Sequence, residues 1–285
     1  MTPGSAREMH WTVHGLEITG LAWGDPEAVP VLCLHGWLDN AASFSALGPL
    51  LKGCYVVAPD LTGHGKSQHR SLDATYQIWD DLPEVLGIIE ALGWTRLNLL
   101  GHSRGAIIAS LFAASFPERV TSLVMLDAVG PEPVPASHFP QQMRKFLDDK
   151  GRLLARNDRI FPTVDAAVAR RRERGLSADA ARLLVQRNLK PCEGGYTWTT
   201  DPRLHGASAV KLGEEQVAAV LGALSMPTLL LLAQDGLIRR HKELEAVARR
   251  SIPELTLTYV DGDHHFHMEA VVESLLGRIM EFITP

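Results

Sequence analysis

Short apolar runs alternate along this chain with longer stretches in which apolar residues recur every three or four positions. The runs are Val31-Leu32-Cys33-Leu34, Tyr55-Val56-Val57-Ala58, Leu97-Asn98-Leu99-Leu100, Leu123-Val124-Met125-Leu126, Thr228 to Leu232 and Leu255 to Val260. Strands that read apolar throughout are covered on both faces, as in a parallel sheet. Helical spacing marks Ser43 to Leu51, Tyr76 to Leu92, Ser103 to Phe116, His241 to Arg250 and Met268 to Ile283, and Gly93 and Pro117 stop two of these stretches. Near the start, Trp11, Val13, Leu16 and Ile18 alternate around Gly15, which predicts a β-hairpin. Strands alternating with helices predict an α/β fold with a mostly parallel sheet flanked by helices.

The rhythm breaks at Val129-Gly130-Pro131-Glu132-Pro133-Val134-Pro135 and resumes after Lys211. Between these points the pattern is helical, with no convincing buried strand. The expected division is a core of residues 1–129 and 213–285, with a helical insertion, 130–212, after the sixth strand. The insertion carries 15 Lys and Arg against 9 Asp and Glu, while the chain as a whole has net charge -5. Its run Arg170-Arg171-Arg172-Glu173-Arg174 reads as a solvated helix face.

Composition narrows the class. With 46% apolar residues, the 285-residue chain has material for a full core. Net charge -5 offers no general attraction to nucleic acid or to an anionic membrane. Cys33, Cys54 and Cys192 form no disulfide framework and have no metal-ligand spacing, so they read as free thiols of a reducing compartment. Residues 1–10 lack a signal-peptide pattern and no run is long enough to span a membrane, so the expectation is a soluble, cytoplasmic protein.

The chemistry concentrates at Gly101-His102-Ser103-Arg104-Gly105, where an apolar run turns into a helix. A G-x-S-x-G turn of this kind exposes its serine oxygen on a tight bend. A Cβ at Gly101 or Gly105 would strike the neighbouring strand or helix. The helix N-terminus brings partial positive charge to the place where an oxyanion would form. A serine hydroxyl needs a base near neutral pH. Asp261-Gly262-Asp263-His264-His265-Phe266-His267 follows the last strand, and so lies on the same carboxyl edge of the sheet. His264, just after the turn, is the best-placed base, and His267 reads as a support for the last helix. The other reading of these histidines, a metal site, lacks a carboxylate or cysteine at ligand spacing.

Taken together, His35-Gly36-Trp37, Gly101-His102-Ser103-Arg104-Gly105 and Gly262-Asp263-His264 resemble the α/β-hydrolase fold superfamily, in order and across essentially the whole chain. His35-Gly36-Trp37-Leu38-Asp39-Asn40 and Tyr196-Thr197-Trp198-Thr199-Thr200-Asp201-Pro202-Arg203-Leu204 are similar to the serine hydrolase-like group and its bacterial relatives. The resemblance implies an eight-stranded sheet, with the insertion standing where that family has its cap. It also implies Ser103 as nucleophile, His264 as base, and an oxyanion hole from the backbone N–H groups of Trp37 and Arg104. For the third triad member, most of the family uses a Gly-x-x-Asp pattern after the seventh strand. Here Ala233-Gln234-Asp235-Gly236 puts glycine at the acid position and Asp235 one residue early. A minority takes the acid from the end of the sixth strand, where Asp127 stands. Asp127 is favoured and Asp235 kept as the alternative.

Asp60, His64 and Ser67 resemble the family's Asp-x-x-Gly-x-Gly-x-Ser loop, whose role there is mainly structural. Trp37, Phe44, Phe139, Phe146 and Trp198 suggest an apolar pocket, with Trp37, His102, Arg104, Phe146 and Trp198 as its candidate lining; Arg104 reads as a packed or solvated arginine, with an anion contact as the alternative. The leading function is hydrolysis of a carboxylic ester or related acyl bond of a small, largely apolar molecule, with no cofactor or metal. Carbon–carbon bond hydrolysis on the same triad is an alternative. So is a non-catalytic small-ligand receptor on the same scaffold. Dehalogenation and epoxide hydrolysis call for aspartate where Ser103 stands.

Overall fold

The computed structural model describes residues 5–154, 159–173, 175–238 and 242–284. Strands β1 (Arg7–Val13) and β2 (Leu16–Trp23) form the expected hairpin. Its two-residue turn has positive φ at both His14 (51°) and Gly15 (80°), the twist that suits a tight antiparallel connection. Strands β3 (Val29–Leu34), β4 (Cys54–Pro59), β5 (Leu97–His102), β6 (Val120–Leu126), β9 (Thr228–Ala233) and β10 (Leu255–Val260) complete an eight-stranded sheet. The order is β1-β2-β4-β3-β5-β6-β9-β10. The hairpin is antiparallel, β2 joins β4 antiparallel, and every later neighbour is parallel. β4 and β5 are fully buried along their length, as their unbroken apolar runs require.

Helices cover both faces. Leu99, Met125 and Leu230 point into a core shared with α1 (Leu82–Ala91), α2 (Arg104–Ser115), α6 (Glu214–Gly222) and α7 (Lys242–Ser251). Leu100, Val124 and Leu231 pack on the other face against α8 (Val272–Ile283). The helical stretch expected over Ser43 to Leu51 is two short 3-10 turns, Ala41–Phe44 and Gly48–Leu50. His267 sits in a 3-10 turn, Phe266–Met268, ahead of the last helix rather than at its start. His241, expected to open α7, lies outside the described residues, as does Arg174 of the arginine run.

Between β6 and α6 the chain forms α3 (Phe139–Leu154), α4 (Val164–Arg172) and α5 (Ala178–Asn188), with a small cluster of its own around Phe161, Val168 and Leu184. It also holds an antiparallel pair, β7 (Leu189–Cys192) with β8 (Gly195–Trp198), where the residue pattern predicts helices and no buried strand. These four-residue strands are mostly half-buried and mix polar with apolar residues, so no apolar run marks them.

The order of the strands decides where the loops meet. β3 hands the chain to β4 on one side, while β5 adds on the other, so the loops after β3 and β5 leave the sheet side by side, Leu34 paired with Gly101. Ligand sites of open α/β sheets form at such reversals. The ends of β6, β9 and β10 open on the same edge.

Candidate active site

The elbow has the strained geometry that its glycines allow. Ser103 sits at φ 52°, ψ -120°, a region that side chains seldom occupy and that the flanking structure must hold. A Cβ on Gly105 would lie 1.9 Å from the Leu34 carbonyl oxygen, and one on Gly101 would lie 2.5 Å from the Ala106 backbone. Only glycine lets β5, the turn and α2 approach this closely. Arg104 opens α2, so its N–H has no acceptor within the helix and lies beside the serine.

Three bonds bring the turn at Ser103 and the side chains of Asp127 and His264 to neighbouring positions. The Ser103 N–H donates to the Leu126 carbonyl (3.0 Å), one residue before Asp127. His264 Nδ1 bonds Asp127 Oδ2 at 2.6 Å. His102, next to Ser103, reaches the His264 carbonyl through Nε2 at 2.8 Å. Asp127 is itself fixed, since Oδ1 accepts from the Ala233 N–H (3.1 Å) and Oδ2 from the Leu237 N–H (2.9 Å). Like Ser103, it is held at positive φ (46°).

Of the two acid candidates, Asp127 is the one bonded to His264; Asp235 is exposed, and its backbone N–H goes to the Gly262 carbonyl. The reason is steric. A Cβ on Gly236 would lie 2.4 Å from both carboxylate oxygens of Asp127. The Asp127 carboxylate thus fills the space that a side chain at 236 would need, and glycine there makes the room.

Several pocket candidates lie elsewhere. His102 is fully buried, its ring within 4.1–5.0 Å of those of His264, His265 and His267. Successive side chains of a strand point to opposite faces, so the neighbour of an outward serine faces inward. Burial pushes the His102 pKa down to about 4, against the opposing pull of Asp39. The Arg104 guanidinium is taken by Asp81 (2.8 Å), which leaves it no free charge for an anionic ligand. Trp198 packs edge-on against Phe161 and belongs to the core of the inserted segment. Phe44 is buried in the main core, while Phe139 lines a separate surface cleft with Pro135 and Gln142. Trp37 is 41% exposed beside the elbow, with Nε1 donating to the Leu204 carbonyl. Phe146 lines a cleft between α3 and Tyr76, Gln77 and Arg203.

Beneath these residues lies a group that the sequence did not reveal. Asp39, 1% exposed, pairs through Oδ1 with Arg171 of α4, while Oδ2 faces His265 Nε2 at 3.3 Å and His102 Nδ1 at 3.6 Å. Burial works against its charge, but His265, Arg171 and His102 hold its pKa well below the usual carboxylate range. Arg171 is therefore a buried partner, not part of a solvated face; Arg170 pairs with Glu173 as a surface residue would.

The Asp60 loop is structural, as expected, and more so than its motif suggests. Asp60 is fully buried and accepts from Ala41 N, Lys66 N, Thr19 Oγ1 and both contacts of Arg187 Nε. Arg187, in α5, also clasps Glu8 at 2.9 and 3.0 Å. The Asp201-Pro202-Arg203 segment ties the insertion to the core in the same way: Arg203 pairs with Asp201 and donates to the carbonyls of Arg70 and Ser71.

The chain belongs to the alpha/beta hydrolase fold family, whose model matches residues 29–271. It is 33% identical to a serine hydrolase-like protein of Danio rerio, over 99% of this chain and 89% of that one. Among solved structures, a hypothetical protein of Pseudomonas aeruginosa PAO1 superposes with a TM-score of 0.93 at 35% identity, covering 98% of this chain and 99% of its own. A thioesterase domain from the curacin biosynthetic pathway follows the same course, with a TM-score of 0.84 at 28% identity, over 97% of this chain and 99% of that one.

Proposed function

We propose that this protein hydrolyses a carboxylic ester or a related acyl bond of a small, largely apolar substrate through a serine acyl-enzyme. The observation that carries the reading is the 2.6 Å bond between Asp127 Oδ2 and His264 Nδ1, at the site where Ser103 is held in its strained turn. The serine hydrolase-like relative and the thioesterase domain lend support by their names.

In this mechanism Asp127 keeps the proton of His264 on Nδ1 and leaves Nε2 to act as base. As Ser103 Oγ bonds to the acyl carbon, its proton passes to Nε2, and the N–H groups of Trp37 and Arg104 receive the developing oxyanion. Collapse breaks the bond to the leaving group, which takes the proton from His264. Water, deprotonated by the same imidazole, then releases the acid and restores the serine. Each oxyanion donor is worth about 3 kcal/mol of transition-state stabilisation. Residues 130–212 form the roof that sets acyl and alcohol size, and the unpaired thiols fit a cytoplasmic setting. Among the described residues, no helix is long and apolar enough to cross a membrane.

A fluorophosphonate probe tests the proposal. Native protein is expected to label at Ser103, and Ser103→Ala is expected to lose both labelling and p-nitrophenyl ester turnover. Folded protein that stays unlabelled, or a Ser103→Ala variant that still turns over, would overturn it. A panel of p-nitrophenyl esters from short to long acyl chains then reads out the substrate class.

A further inference from the structure

The buried group below the triad holds an unsatisfied contact between two acceptors. His102 Nε2 faces the His264 carbonyl, which can only accept, so the ring hydrogen lies on Nε2. Nδ1 is then a bare lone pair. It is fully buried, has no hydrogen-bond partner, and faces Asp39 Oδ2 at 3.6 Å. Two acceptors turned towards each other call for a cation between them. A proton would have to make this ring an imidazolium, which its burial opposes.

We propose that Asp39, His102 and His265 form a buried site for one divalent transition-metal ion of the zinc type, bracing the turn that carries His264. Ligand atoms about 2.0–2.1 Å from a tetrahedral ion stand roughly 3.4 Å from one another. Asp39 Oδ2 lies 3.3 Å from His265 Nε2 and 3.6 Å from His102 Nδ1, and all three atoms fall within 4.8 Å of one another. The two spacings to Asp39 Oδ2 are long for hydrogen bonds and lie near the edge length of such a tetrahedron, so the ion's third edge, between the two imidazoles, is the one that binding would set. Two imidazoles and a carboxylate form a common ligand set for zinc, with water as the fourth ligand.

Two further features fit. Gly36 leaves a cradle beside the pair, since a Cβ there would lie 2.9 Å from both Asp39 Oδ2 and His102 Nδ1. The bond from His102 Nε2 to a backbone carbonyl is the outer contact that orients a metal-bound histidine and fixes its tautomer. Arg171 holds the remaining carboxylate oxygen and so orients Asp39. His265 and Arg171 each keep 10% of their side-chain surface exposed, which marks the side from which an ion enters. With His102 and His265 tied to one ion, the segment around His264 is held from both sides.

The test uses the whole protein, freed of metal by chelator and dialysis, then titrated with Co2+ and with Zn2+. The expected result is an intense tetrahedral Co2+ absorption that saturates at one ion per chain and is displaced by Zn2+. A rise in Tm of about 5 °C is expected at a hundredfold excess over Kd. His265→Gln, at the rim of the group, is expected to abolish both signals, with its fold checked by circular dichroism. Weak octahedral Co2+ absorption, no stoichiometric uptake, or a site that survives in folded His265→Gln would each overturn the proposal. The spectra of the unsubstituted protein decide this even where a variant fails to fold. They do so independently of fluorophosphonate labelling, so this site and the proposed hydrolysis stand or fall separately.

Discussion

Replacing Asp127 by asparagine isolates what the carboxylate charge does. The amide has one acceptor oxygen where the carboxylate serves three donors: Ala233 N–H at Oδ1, and Leu237 N–H and His264 Nδ1 at Oδ2. With its oxygen in the Oδ2 position, the amide keeps two of these bonds and turns its NH2 against the Ala233 N–H. The opposite flip loses two and forces the wrong tautomer on His264. The first arrangement is therefore expected, at a stability cost of roughly 1–3 kcal/mol for the unsatisfied donor. The ring stays in place, but the charge that stabilises the imidazolium is gone. The 2.6 Å contact puts the two delocalised charges about 4 Å apart. At an effective dielectric of about 20 their attraction is about 4 kcal/mol, or roughly a thousandfold in turnover. Initial rates on a p-nitrophenyl ester and the rate of fluorophosphonate labelling should fall together, with Tm reporting the stability part. Asp235→Ala should leave both rates near the starting level. An Asp127→Asn variant that keeps a tenth of its turnover, or an equal loss in Asp235→Ala, would refute this role for the charge.

Other outcomes follow from the same geometry. Gly236→Ala should disable the enzyme by pushing the Asp127 carboxylate aside, whereas Asp127→Gly combined with Gly236→Asp should recover at least about tenfold over Asp127→Gly alone, measured by ester turnover. Arg187→Met strands the buried Asp60 charge and should cost about 3–5 kcal/mol in urea unfolding. Burial lowers the pKa values of His102, His64 and His267 in the folded protein, so the unfolded chain binds more protons once the pH drops below about 6.5. Stability contributed by these neutral rings is complete above that pH and is lost as it falls towards about 4, the His102 value, so a Tm series from pH 7 to 4 should decline before most carboxylates titrate.

What could be read from the sequence was local. The parallel strands announce themselves as apolar runs because both faces are covered, and the elbow because its glycines answer to neighbours within a few residues. Asp127 and Asp235 stayed open because the choice depends on whether residue 236 leaves a gap for a carboxylate from another strand. Gly236 was visible as a missing acid, but not as the space that Asp127 fills. Asp39 lies in the His35–Asn40 motif, but its partners Arg171 and His265 come from distant segments. The arginine run looked solvated because charge density says nothing of one member turned inward. The β7–β8 pair gives no signal because four-residue, half-buried strands of mixed polarity leave no apolar signature.

The buried ion pairs between the insertion and the core have a mechanical consequence. Lifting α4 or α5 away breaks the pair of Arg171 with Asp39 or that of Arg187 with Asp60, at the cost of separating buried opposite charges. That side of the molecule is a standing wall. α3 is mostly exposed, and its ion pairs among the described residues, Arg144–Asp148 and Arg152–Asp149, stay within the helix, so it lacks the ties that pin α4 and α5.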